Sequence, residues 1–106
     1  MKELYNYFNH TGYSKINWCT NLDVINACSK VFDEIKTVEE KPNPNRRRKN
    51  YPLRTFEYKD FRFVETLSTR AGDRGDLYYA PTGELVATDA DFYNFYTFAC
   101  WFYNFR

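Results

Sequence analysis

The apolar positions of the chain recur mostly at helical spacing up to residue 41, alternate from Leu53, and become nearly continuous after Thr88. Leu4, Tyr5 and Phe8 share one side of a short helix over residues 2–9, which Gly12 can close. Tyr13 to Trp18 reads as a short extended piece, because Ile16 and Trp18 alternate with Asn17. Val24, Ile25, Ala27, Cys28, Val31, Phe32, Ile35 and Val38 then form one apolar arc. Asp23, Asn26, Ser29, Lys30, Asp33, Glu34, Lys36 and Thr37 lie opposite. Thr20 and Asp23 have capping-box spacing and Pro42 forms a stop, so the arc predicts a scaffold helix over 21–38. Burying one Ile or Phe of such an arc stabilises by about 1.5–3 kcal/mol, far more than the Lys30–Glu34 or Asp33–Lys36 surface pairs contribute.

From Leu53 the period is two. Phe56 and Tyr58 have one parity, Phe61 and Phe63 the other. Lys59–Asp60 lacks residues that favour positive φ, so the pattern predicts one long strand bulged near Asp60 rather than two strands. Ser68 to Gly75 reads as a turn-rich loop. Asp76–Ala80 and Glu84–Ala87 form a hairpin around Pro81–Thr82–Gly83, where Pro presets φ and Gly permits the turn. The predicted architecture is one α+β domain over 1–106. It has a small antiparallel sheet of three to four strands, two main helices and a short N-terminal helix, packed mostly on one face.

The last helix, predicted near 89–105, organises the rest. Thr88 and Asp91 repeat the T-x-x-D start. Its aromatic residues cover more than half of the helical wheel and leave only Asn94, Thr97 and Asn104 as a polar face, with Trp101 among them. A helix this apolar needs cover on several sides, from its own domain or from a second copy in a homodimer. Phe98 and Phe105 border the Trp101 face. Trp101, Phe98, Phe105, Asn94 and Asn104 are therefore the candidate partner-binding set, because a desolvated Trp is a favoured interface anchor. The competing reading has Leu4, Tyr5 and Phe8 folding over Trp101.

Composition narrows the function. Aromatics make up 21% of the chain, which suits both a small dense core and an interface. The net charge of +1 excludes a polyanion mimic and a broadly basic nucleic-acid coat. Cys19, Cys28 and Cys100 are an odd number without ligand spacing, so disulfide and zinc frameworks are not expected. Cys28 and Cys100 should be buried and unpaired. With no signal-peptide pattern and no membrane-length apolar run, a cytoplasmic protein without membrane contact is expected. The abundance of Asn, Tyr, Phe and Lys resembles small bacteriophage and mobile-element proteins in style.

The candidate chemistry is sparse. His10 is the sole histidine and has no nucleophile or ligand at matching spacing. Arg74–Gly75–Asp76 resembles the integrin-binding tripeptide, but a turn is the simpler reading. Asp73, Asp76, Asp89 and Asp91 match no calcium-loop register. Residues 39–52 form an exposed loop in which Arg46, Arg47, Arg48 and Lys49, with Tyr51, suit a nucleic acid or an acidic protein surface. Lys59–Thr66 resembles the aromatic strand of RNA-recognition motifs at Lys59, Phe61, Phe63 and Val64, and departs from it at Asp60, Arg62 and Thr66. That resemblance implies base stacking on Phe61 and Phe63. No enzymatic motif, metal site or cofactor is expected. The residues favour a small protein-binding inhibitor or adaptor, such as an anti-CRISPR-like anti-defence protein that occludes a host protein. The alternative is a single-stranded nucleic-acid or RNA-binding module.

Overall fold

Phe61, Phe63 and Leu77 line one face of a sheet and are wholly enclosed. The element that encloses them is the aromatic last helix. The computed structural model describes residues Met1–Arg106. Five strands, β1 (Lys36–Lys41), β2 (Leu53–Tyr58), β3 (Phe61–Thr69), β4 (Gly72–Tyr79) and β5 (Glu84–Asp91), form an antiparallel sheet in chain order. Three helices, α1 (Lys2–Tyr7), α2 (Leu22–Glu34) and α3 (Phe92–Asn104), complete an α+β domain. α3 lies over β3, β4 and β5, while α2 packs on α3 and α1 reaches β5. The opposite face of the sheet has no helix. There Lys36, Glu57, Arg62, Tyr78 and Leu85 form one cross-strand row, all at least partly exposed, with Glu57 and Arg62 paired at 2.5 Å.

The sheet has five strands, more than expected, because periodicity misleads in two segments. The predicted helix over 21–38 ends at Glu34, and Ile35 turns extended (ψ 131). Residues Lys36–Lys41 pair with β2 as an edge strand exposed at all six positions. Val38, which completes the helical arc in sequence, sits instead at a bulge between Thr37 and Glu39. The other segment is Lys59–Asp60, which is a two-residue hairpin turn after all, with Lys59 at φ 49. Its cost is offset from outside the hairpin. The Asp60 N–H donates to Tyr103 Oη (3.1 Å), Tyr103 Oη donates to Asp60 Oδ2 (2.8 Å), and Lys59 Nζ lies 4.6 Å from the Tyr103 ring centre.

Other boundaries also move. Ser68–Gly75 continues the β3–β4 hairpin instead of forming a loop, and its register shifts between Glu65 and Leu67. At Gly75 a Cβ would lie 2.4 Å from the Val64 carbonyl oxygen, so only glycine allows β4 to approach β3 this closely. α2 is capped by Asn21, whose Oδ1 accepts from the Asp23 N–H (2.9 Å) and the Val24 N–H (3.4 Å), and not by Thr20. α3 is capped by Asp91, whose Oδ1 accepts from the Asn94 N–H (2.7 Å). Thr88 is left inside β5, because Asp89 adopts positive φ (52) and the strand runs on past it. Tyr13–Lys15 is a short helical turn that prolongs α1, and the chain turns extended at Ile16.

Candidate functional site

The candidate partner anchors at the end of α3 divide between core and surface. Trp101 is only 6% exposed, and Phe98 is fully enclosed. The N-terminal segment covers both. Phe8 sits 5.2 Å from Trp101 and 5.6 Å from Phe98 between ring centres, and Tyr5 meets Phe98 edge-on at 5.1 Å. The wheel is corrected at Thr97 too. It is buried, and its hydroxyl donates to the Tyr93 carbonyl (2.8 Å), so it makes no polar face. Asn94 and Phe105 are half-buried, and Asn104 is exposed but turned back to the Cys100 carbonyl (3.0 Å). The five residues form no common open surface. Around Trp101 there remains a shallow hollow of about 370 Å³, bordered by Leu4, Tyr7, Ile16 and Phe105 and by the cations Lys15 and Arg106.

The other end of α3 is open. Its first turn and the far end of the β3–β4 hairpin enclose a groove of about 540 Å³, lined by Leu67, Thr69, Ala71, Gly72, Asp73, Arg74, Asp91, Phe92 and Tyr93. The shift in register after Glu65 brings Leu67 opposite Arg74, at the groove. Leu67 is 37% exposed and Tyr93 43%. Phe92 joins the groove to Phe32 of α2, which is 54% exposed and packs edge-on against Phe92 and Tyr96. Tyr93 is held by Tyr13, since their hydroxyls are 2.8 Å apart, and that bond pushes its pKa well above the usual phenol range. The result is an aromatic surface that runs from α2 across Phe92 into a groove edged by Asp73, Arg74 and Asp91.

No family model, curated protein or solved structure matches the chain. The site must therefore be judged from its own geometry.

Beside the groove lies a buried carboxyl that sequence reasoning passed over. Glu65 is 5% exposed. Its Oε1 accepts from the Arg54 N–H (2.8 Å), while Oε2 has no partner. Burial pushes its pKa up to about 7, the neighbouring Asp73 carboxyl adds to this, and the Arg54 N–H opposes it. Asp73 in turn accepts from Ser68 Oγ (2.7 Å). Period-two alternation would have placed Glu65 on the same face as Phe61 and Phe63. A carboxylate at a core position was the available signal.

The basic loop is ordered by asparagines. Asn45 Oδ1 accepts from the Arg47 N–H (3.0 Å), and Arg46–Arg48 form a single helical turn. Asn43 Nδ2 donates to the Tyr51 carbonyl (2.8 Å) and the Ser68 carbonyl (3.4 Å). This pins the loop to the end of β3 that leads into the groove. Arg46, Arg47 and Lys49 are exposed, Arg48 and Tyr51 half-buried, and none of the four cations lies within ion-pair distance of a carboxylate.

The remaining candidates stand apart. His10 is exposed in the turn after α1. Arg74–Gly75–Asp76 lies within β4 and is no presented turn; the Arg74 side chain is bound to Asp89 through its carboxylate (2.8 Å) and its carbonyl. No three His, Cys, Asp or Glu side chains are grouped as metal ligands would be. No helix is long and apolar enough to cross a membrane.

Proposed function

We propose that this chain is a non-enzymatic protein-binding module that docks through the groove at the start of α3. The supporting observation is that Leu67 and Tyr93 stay exposed in one hollow, with Phe32 exposed beside it across Phe92. Exposed apolar patches framed by polar residues are where partners bind, and rigid aromatics make effective anchors. The Asn-, Tyr-, Phe- and Lys-rich composition supports an inhibitor or adaptor of phage or mobile-element type, anti-CRISPR-like in acting by occluding a host protein.

The nucleic-acid alternative keeps one supporting feature, the unpaired cations of the basic loop. It loses the stacking platform, since Phe61 and Phe63 are fully enclosed beneath α3. A protein partner uses the same cations to steer encounter.

The deciding experiment compares capture from host lysate by the wild-type chain, by Leu67→Ser/Tyr93→Ala, and by a chain with alanine at Arg46, Arg47, Arg48 and Lys49. A specific protein that survives nuclease, is lost with the groove variant and is only captured more slowly by the loop variant supports docking. Capture that vanishes on nuclease treatment, or survives the groove substitutions unchanged, overturns it. In the first of these outcomes, the salt slope of nucleic-acid binding should flatten in the loop variant, by about 0.9 per lost duplex phosphate contact.

A further inference from the structure

Of the three hollows in the surface, the one over Trp101 differs in charge. The groove at the start of α3 is lined by two carboxylates, Asp73 and Asp91, and the hollow where α2 meets β1 and β2 by Glu34 and Glu57. The hollow of about 370 Å³ at the end of α3 has no acidic residue in its lining, and its charged members are Lys15 and Arg106. Neither lies within ion-pair distance of a carboxylate. Both are held by aromatic rings instead. Lys15 Nζ donates to Tyr7 Oη (3.4 Å) and lies 5.8 Å from the Tyr7 ring centre, and the Arg106 guanidinium lies 4.1 Å from the centre of Phe102. The remaining lining is largely apolar, and Gly12 leaves it open. The Gly12 backbone is helical (φ −66, ψ −34), so its conformation does not call for glycine. A Cβ there would lie 3.4 Å from Tyr7 Cε1 and 3.6 Å from Trp101 Cζ2, ordinary contact distances. Alanine would fit and would favour the helical turn. Glycine at this position therefore keeps space beside the two rings.

We propose that this hollow binds a small aromatic carboxylate, its ring against Tyr7 and Trp101 and its carboxylate at the rim with Lys15 and Arg106. Burial of the ring supplies affinity whatever the ligand's charge, and the two cations select the anion through charge-assisted hydrogen bonds. An anion arriving here displaces no resident carboxylate, so neither cation has to give up a partner to receive it. The volume falls in the lower part of the range of small-molecule sites, roughly 300–1,000 Å³, and suits one or two fused rings. The site lies at the opposite end of α3 from the groove and does not depend on a protein docking there.

The test titrates the full isotope-labelled chain with naphthoate, and with naphthylmethanol as the uncharged probe of the same ring system, while NMR follows the Gly12 amide and the Trp101 indole. Both signals should shift saturably, with a Kd of about 1 mM or tighter for the acid. The alcohol should bind about tenfold more weakly. Lys15→Gln with Arg106→Gln should abolish that preference and leave Tm unchanged, since both side chains are exposed. Gly12→Ala should weaken both probes several-fold while Tm holds or rises, a combination that a purely structural role for Gly12 would not give. The proposal is overturned by the absence of a saturable shift at Trp101, or by equal affinity for acid and alcohol. A preference that survives in the Lys15/Arg106 variant, or shifts centred on Leu67 and Tyr93, would overturn it as well.

Discussion

At its C-terminal half α3 turns Phe98 and Trp101 into a nest of Tyr5, Phe8 and Phe61, while at its first turn it offers Phe92 and Tyr93 to a groove open to water. Both ends are equally aromatic in sequence. The difference lies in what the fold brings to each. The N-terminal segment folds back over the second half of the helix, whereas the first half packs its inner side on Phe56 and Phe63 of the sheet and is touched on its outer side only by Phe32 of α2 and Tyr13. Aromatic content therefore marks where a surface is costly to leave exposed, and tertiary neighbours decide which part of it is covered.

The largest effect should come from the closed end. Trp101→Ala should cost roughly 3–5 kcal/mol in a denaturant titration, since the ring is packed against Phe8 and Phe98. A loss below about 1 kcal/mol would mean that the N-terminal segment is not a tight cover, and the contrast between the two ends would fail.

Next comes Glu65, behind the open end. Its folded-state pKa of about 7 lies above the ordinary 4.5, so the fold favours the protonated acid. Its contribution is fully present below about pH 4.5 and is lost as pH rises through about 7. Stability should accordingly fall by about 1–3 kcal/mol over that window, since each tenfold change in proton affinity is worth roughly 1.4 kcal/mol. Glu65→Gln should flatten the slope and raise Tm at neutral pH. A slope unchanged in the variant would assign the titration to another group.

A smaller loss, about 1–2 kcal/mol, is expected for Tyr103→Phe, which removes the hydroxyl that supports the Lys59–Asp60 turn. Amide exchange should rise most at Asp60 and its neighbours. The smallest change in stability belongs to Tyr93→Ala with Leu67→Ser, about 1 kcal/mol in total by melting, because both side chains are more than a third exposed and the Tyr13–Tyr93 bond lies at the surface. The same pair should weaken a partner by about 2 kcal/mol or more in an isotherm. A strong destabilisation here would show the groove to be part of the core.

Much of the fold was legible because it follows from local chemistry. The β4–β5 turn at Pro81–Thr82–Gly83 carries its own signals, and the apolar arcs of α2 and α3 fix which elements are helical. What was illegible depends on distant partners. Val38 fits a helical arc as well as a strand, and only pairing with β2 decides. Lys59–Asp60 is a poor turn by itself and becomes acceptable through Tyr103, 43 residues away. Trp101 falls on the polar side of a helical wheel, which cannot show that Phe8 lies against it. The groove at Leu67 was hidden for a similar reason, since a register shift cannot be read from alternation.

The cover over Trp101 also sets an order of events during synthesis. Phe8 and Phe98 are 98 − 8 = 90 residues apart, so the first helix emerges long before the surface it packs on exists. At roughly 5–20 residues per second, α1 waits about 5–20 s for α3. Through that interval Tyr5 and Phe8 have no α3 to meet, and the β-meander can close before them but cannot finish the core. Closure of the native structure is thus tied to the last helix leaving the ribosome, and a nascent chain stalled before Phe98 should engage chaperones that bind exposed aromatic segments.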